Sequence, residues 1–286
     1  IQNNGGSLSY SKSNIRASGD DDVSNIGVIE ASATSTTHAT GVGATLGGAA
    51  TAKVTSGAES GAAAIDLGGG NDSLLNVGAL TSTATSDATA VGVAVGVATS
   101  STPVSLLTAK SDVDASASAN SRATGIAADS LEGDTRQDVS ISIEDTGQSP
   151  GGSLTYSRSE IRASGDDSVI NHGAILAQSQ ATTLTAGVGV SIGGEAASKA
   201  ASTSEAESVA VDLGGGADSL TNNGSLVSTA TSNATALNVA VGVKTDAADE
   251  DKVKSAADAS VTANSRATCI AADGVDGDTA KQVQVT

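Results

Sequence analysis

The sequence predicts an all-β fold, a right-handed parallel β-helix (β-solenoid), and three observations carry that prediction. The chain repeats itself: Leu67 to Leu80, LGGGNDSLLNVGAL, returns 146 residues later as Leu213 to Leu226, LGGGADSLTNNGSL. Its composition lacks the side chains of a globular core, with no Phe, Trp or Met, aromatics at 1% and 34 glycines. The apolar content is mostly Ala, Val, Ile and Leu, which suits a thin, layered interior. Finally, apolar and small residues alternate with period two in Val91-Gly92-Val93-Ala94-Val95-Gly96-Val97, Val239-Ala240-Val241-Gly242-Val243 and Val139-Ser140-Ile141-Ser142-Ile143. That alternation places one set of side chains inside a sheet and the other outside.

Taken in order, the chain opens on IQNNGGSLSYS, in phase with QSPGGSLTYS at Gln148 to Ser157, and closes on KQVQVT, near the same phase. The expectation is one continuous solenoid of two long repeats, residues 1–152 and 153–286, cut from a longer array or built so that its ends abut. Ile15 to Asp21, IRASGDD, returns as Ile161 to Asp167 at the same spacing. Within each copy a weaker subrepeat of 51 residues relates Asn25-Ile26-Gly27 to Asn76-Val77-Gly78 and the turn at Gly19 to Asp22 to that at Gly70 to Ser73. A third, degenerate turn holds Gly133-Asp134 and Gly277-Asp278. The two prolines, Pro103 and Pro150, fall in loops, as does the charged stretch Lys244 to Lys254. With coils of roughly 20 to 25 residues and about 4.8 Å between strands, the chain would make about a dozen coils and a rod of about 60 Å. A β-sandwich array with 146-residue modules is the alternative fold, and it needs hairpin turns that the sequence shows only weakly.

The formal net charge is −18, from 32 acidic and 14 basic residues, which argues against nucleic acid or an anionic membrane surface and towards cations. No apolar stretch is long enough to insert in a bilayer, and no signal peptide begins the chain, which starts at Ile1. Cys269 has no second cysteine to pair with and stands where the first copy has Gly125. Neither His38 nor His172 recurs between copies, so neither belongs to a repeated site. Three Asn-x-Ser/Thr triplets, at Asn71, Asn223 and Asn233, fit a glycosylation pattern in a chain rich in those residues.

Two motif types carry candidate chemistry. Gly68, Gly70 and Asp72, then Gly214, Gly216 and Asp218, fit G-x-G-x-D-x-L, which resembles the calcium-binding nonapeptide of RTX proteins. Glycines there turn carbonyl oxygens towards a cation while the Asp carboxylate adds a hard oxygen. The acidic turns at Asp20, Asp21 and Asp22 and at Asp166 and Asp167 align with them, so all eleven residues are candidate calcium ligands. The turns lie about 50 residues apart, so sharing an ion requires coils to stack them together. The second motif, Asn-x-Gly-x-Ile/Leu at Asn25, Asn76, Asn171 and Asn222, resembles the coils of filamentous-haemagglutinin-type and autotransporter β-helices. That resemblance implies a buried asparagine ladder, and a left-handed backbone is the expectation for the glycine after it.

Together the motifs resemble those of very large, repetitive bacterial surface proteins. The implied function is a structural stalk, filament or adhesin segment, extracellular or on the cell surface, without enzymatic activity. Its partners would be further copies end to end, the rest of a longer array, or a surface receptor or glycan. The alternative is a polysaccharide lyase or hydrolase resembling pectate-lyase-like β-helices, with Arg16 beside Asp20, Asp21 and Asp22. Against it, the grouping recurs as Arg162, Asp166 and Asp167, whereas an active site is normally unique. A lesser alternative is an ice-binding solenoid, which the threonine series Thr81, Thr83, Thr85, Thr229 and Thr231 resembles.

Overall fold

The computed structural model describes residues 19–98, 109–129, 165–243 and 254–272 in full, and five short outlying strands as backbone. Arg16, Arg162, Pro103, Pro150, the turns at Gly133 and Gly277 and most of the loop from Lys244 lie outside the described residues.

The fold is all-β, a parallel solenoid of four coils. Each coil is one short strand followed by two long ones. The first holds β3 (Asp22–Asn25), β4 (Val28–Leu46) and β5 (Ala49–Asp66), following β1 (Leu8–Tyr10) and β2 (Asn14–Ile15). The second holds β6 (Ser73–Asn76), β7 (Ala79–Val97) and β8 (Ala109–Ala127). After β9 (Thr135–Arg136) and β10 (Ile141–Ile143) come the third coil, β11 (Ser168–Asn171), β12 (Ala174–Ile192) and β13 (Gly194–Asp212), and the fourth, β14 (Ala217–Asn222), β15 (Ser225–Val243) and β16 (Ser255–Ala271). Strand β17 (Gln282–Val285) closes the series.

Like strands stack coil upon coil. A short sheet runs β3-β6-β11-β14-β17, a first long sheet β4-β7-β12-β15 and a second long sheet β5-β8-β13-β16. All pairings in the three sheets are parallel, and they cross from the second coil to the third without a break. Outside the stack, β1 pairs with β10 and β2 with β9, both antiparallel.

Coil geometry corrects the sequence expectation. The step between coils is 51 residues from Asn25 to Asn76 and from Asn171 to Asn222, and 95 across the repeat boundary. Long strands of up to 19 residues explain the difference. At about 3.3 Å per residue such a strand spans about 60 Å, whereas four rungs at about 4.8 Å stack to only about 20 Å. The described body is therefore broader than it is tall. Glycines such as Gly43, Gly92 and Gly96 lie inside uninterrupted strands.

The interior explains those glycines. Where the three sheets meet, the core is aliphatic, built from Leu74, Leu80, Ile126, Val169, Ile175, Leu213 and Leu220. Burying each such side chain contributes about 1.5 to 3 kcal/mol. Further along the long sheets the inward residues shrink to Ala and Ser. The serine hydroxyls reach across to the facing sheet, Ser82 to the Ala62 carbonyl and Ser208 to the Ala177 carbonyl, each at 2.8 Å. At the far edge the inward positions of the first sheet are Gly41, Gly43, Gly92, Gly96, Gly187 and Gly189. A Cβ on Gly189 would lie 2.8 Å from the Ala197 carbonyl oxygen, and one on Gly96 2.8 Å from that of Lys110. The coil is thus a wedge, thick at the short sheet and thin where glycine lets the backbones meet.

Candidate functional site

All four acidic turns stack at the thick end of the wedge, just before the short strands. Three columns run through them. In the first, Gly19, Gly70, Gly165 and Gly216 lie so close that a Cβ on Gly165 would fall 1.3 Å from the Gly70 carbonyl oxygen. Gly68 and Gly70, with φ of 84° and 135°, and Gly214 and Gly216, with 68° and 134°, take the left-handed backbone the turn requires. The glycine turns of the sequence motif therefore form as expected.

The second column is Asp20, Asn71, Asp166 and Ala217, facing solvent. Each side-chain oxygen accepts the amide of the following coil: Asn71 N–H to Asp20 at 2.9 Å, Asp166 N–H to Asn71 at 2.9 Å and Ala217 N–H to Asp166 at 2.8 Å. The third column, Asp21, Asp72, Asp167 and Asp218, runs the other way. Asp72, Asp167 and Asp218 accept the amides of the preceding coil, from Asp21, Asp72 and Asp167, at 2.8, 2.9 and 3.0 Å. These three carboxylates are 2% exposed. Asp22 starts β3 on the solvent side, outside both columns.

Burial sets the electrostatics of the inner column. It raises the Asp167 pKa to about 7, against the lowering effect of the Asp72 amide and with help from the nearby charges of Asp129, Asp218 and Asp72. Burial also raises Asp218, opposed by the Asp167 amide and reinforced by Asp166. The second oxygens of Asp167 and Asp218 are buried and accept no hydrogen bond among the described residues.

Asp129 completes the arrangement, its two oxygens taking the Gly215 amide at 2.8 Å and the Gly165 amide at 3.3 Å. Sequence reasoning passed over it, although Ala127-Ala128-Asp129 recurs as Ala271-Ala272-Asp273 and that recurrence was the available signal. Stacking thus brings together the acidic turns that the sequence spaces about 50 residues apart. It does so in hydrogen-bonded columns, and among the described residues no three His, Cys, Asp or Glu side chains gather as a metal centre.

One turn further on stands the asparagine ladder. Asn25 donates to the Asn76 side chain at 2.8 Å, Asn76 to Asn171 at 2.7 Å and Asn171 to Asn222 at 2.6 Å. Each side-chain amide also donates to the carbonyl of the glycine two residues on, at 3.1 to 3.2 Å. Asn76 and Asn171 are fully buried, so these bonds replace all contact with water. The glycine itself has a different reason from the one expected. None of Gly27, Gly78, Gly173 and Gly224 has a positive φ. Instead a Cβ on Gly78 would sit 1.6 Å from the Gly27 carbonyl oxygen, and one on Gly173 or Gly224 1.8 Å from that of the glycine before it in the stack.

The sequence alternatives sit elsewhere. Thr81, Thr83 and Thr85 point outward from β7 while Ser82 and Ala84 are buried. A shallow depression of about 510 Å³ lies open on the outer face of the second long sheet, over Gly57, Ser118, Asn120 and Thr203 and between Glu59 and Glu205. Cys269 is a free, exposed thiol on the last coil.

The class this geometry defines is a parallel β-solenoid held by side-chain ladders. Comparison with protein-family models, with curated proteins and with solved structures finds no match to this chain.

Proposed function

We propose that the chain is a structural segment of an extracellular bacterial surface protein, in which stacked coils form a stalk, filament or adhesin rod. The observation that carries this reading is the asparagine ladder. One side-chain bond per step joins all four coils, across 51 residues or 95 alike, so coils add in register whatever connects them. Strand β17 adds a fifth rung to the short sheet, with Val283 opposite Asp218. Both terminal coils leave a long strand edge open among the described residues, β4 and β5 at one end and β15 and β16 at the other. Such edges invite a further coil or another copy. A head-to-tail fusion of two copies tests the reading by small-angle scattering. One continuous stack lengthens along its axis by about 20 Å with its cross-section unchanged. Two bodies tumbling independently overturn it.

Calcium enters this reading at the inner aspartate column, where Asp72, Asp167 and Asp218 stand on successive coils about 4.8 Å apart and a divalent cation would compete with the proton that burial favours on Asp167. A thermal melt in excess calcium and again in chelator checks this. An upward shift with calcium supports it, and coincident melts leave a metal-independent rod.

A second reading has one observation in its favour. Threonines such as Thr34, Thr85, Thr83 and Thr231 stand outward on the first long sheet in regular columns. An ice-binding face has that character, and absence of thermal hysteresis in the purified protein disposes of it.

A further inference from the structure

Half of the outer face of the first long sheet is apolar. In the last third of each strand the small residues face in and the branched residues face out, the reverse of an ordinary half-buried strand. One outward column is Val42, Val93, Val188 and Val239, and the next two continue in the same character as far as Leu46, Val97, Ile192 and Val243. Gly41, Gly43, Gly92 and Gly189 line the inside beneath them. Val42 is 73% exposed, Leu46 77% and Leu237 59%. No charged side chain interrupts the patch, although the chain carries a net charge of −18. The other half of the same face is mixed, with Glu30, His38, Asp87, Gln178 and Gln180 among its threonines and isolated Val28, Leu184 and Val227 between them.

We infer that this apolar half-face is a dimerisation surface whose partner is a second copy of the chain, joined sheet to sheet. Three features favour a copy over other occupants. The patch is flat and set on a lattice of about 4.8 by 6.7 Å, which two identical sheets match when they pack face to face. Four strands by four columns cover roughly 500 Å² per partner, so pairing buries about 1,000 Å² or more, the lower bound for a specific interface. That patch is towards the upper end of what a soluble monomer ordinarily leaves exposed, roughly 300 to 600 Å². Beyond the far edge of the patch the charge is mixed, with Lys244 next to Val243 in sequence and Glu195, three residues past Ile192, paired to Lys254 at 3.6 Å, whereas a surface that settles on anionic lipid is rimmed by Lys and Arg alone. A two-fold axis lying in the plane of the sheet superposes valine on valine and keeps the charged second long sheets on the outside.

Sedimentation equilibrium of the full chain, with Val93→Lys/Val188→Lys and Val93→Thr/Val188→Thr as variants, tests this. The wild type is expected to dimerise at tens of micromolar or below. Both variants should weaken the dimer at least tenfold while keeping the far-UV spectrum and melting temperature, because the changed side chains face out. Thr83→Lys/Thr229→Lys, on the mixed half, should leave the dimer in place. A wild type that is monomeric at about 100 µM, or a dimer that both valine variants retain, overturns the inference. So does a monomer that pellets with phosphatidylcholine vesicles. End-to-end association is distinguishable, since it gives masses that grow beyond two copies and is unaffected by the valine variants.

Discussion

The two long sheets are alike in build and differ most in what meets solvent. Both have four parallel strands of 17 to 19 residues and both turn Ala and Ser inward, the first adding glycine at its far edge. Yet the second sheet presents Lys53, Asp112, Asp114, Lys199, Glu205 and Glu207 outward, while the first presents threonine at one end and valine at the other. On the charged sheet Arg122 lies 3.9 Å from Glu207 and 3.7 Å from Asp212, and Arg266 lies 3.6 Å from Glu207. The lesson is that a wedge closed by backbone contact asks only that inward residues be small. Outward chemistry is then free to differ between faces, and apolarity alone no longer says which face is inside.

The sharpest way to break the comparison is to put bulk on the wrong side of the first sheet. Gly189→Val should destabilise by about 3 kcal/mol or more in urea unfolding, because the backbone at Ala197 leaves no room for it. Val190→Thr, one residue along and outward, should cost below about 0.5 kcal/mol. Equal effects would mean that the inside and outside are not as distinct as the glycines imply.

The inner aspartates, at the thick end and belonging to neither face, come next. The folded chain holds the Asp167 proton to about pH 7, whereas an ordinary solvent-exposed aspartate releases it near 3.8. Between those values the native state binds more protons, so stability is fullest below about pH 4 and falls as pH rises through 7. The drop should be on the order of 2 to 4 kcal/mol, read as a melting temperature lower at pH 8 than at pH 5. Asp167→Asn keeps an acceptor for the Asp72 amide and should flatten most of that slope. Asn171→Ala cuts the ladder in its middle and leaves Asn76 and Asn222 without their partner, which should cost about 2 kcal/mol on both sheets alike. Smallest of all, Arg266→Ala on the charged face should cost below about 1 kcal/mol, and less at high salt, because its ion pair with Glu207 is partly exposed.

Much of this was legible in the sequence. The 51-residue subrepeat is the coil step, the four Asn-x-Gly segments mark the ladder, and period two marks the strands. What escaped depends on a neighbouring backbone that no single stretch reveals. Gly78 reads as a left-handed turn residue until Gly27 is placed above it. Gly92 and Gly96 read as members of a strand, but the need for glycine there shows only when Val113 and Lys110 of the facing strand are seen to press against them. Asp72 and Asp218 read as candidate ligands at the end of a glycine turn, and that their carboxylates accept amides one coil away shows only once the turns are stacked.

The unequal steps of the ladder have a consequence for how the chain reaches this state. Every bond between rungs of the ladder closes a loop of 51 or 95 residues, so the joining of one coil to the next rests on contacts distant in sequence. Folding should be slow and should begin wherever two neighbouring coils first meet. The entropy of closing a flexible loop rises only by about 0.6 kcal/mol for each doubling of its length. The longer excursion between the second and third coils therefore delays and weakens that one closure hardly more than the others, and the connection could grow further at little cost to the fold.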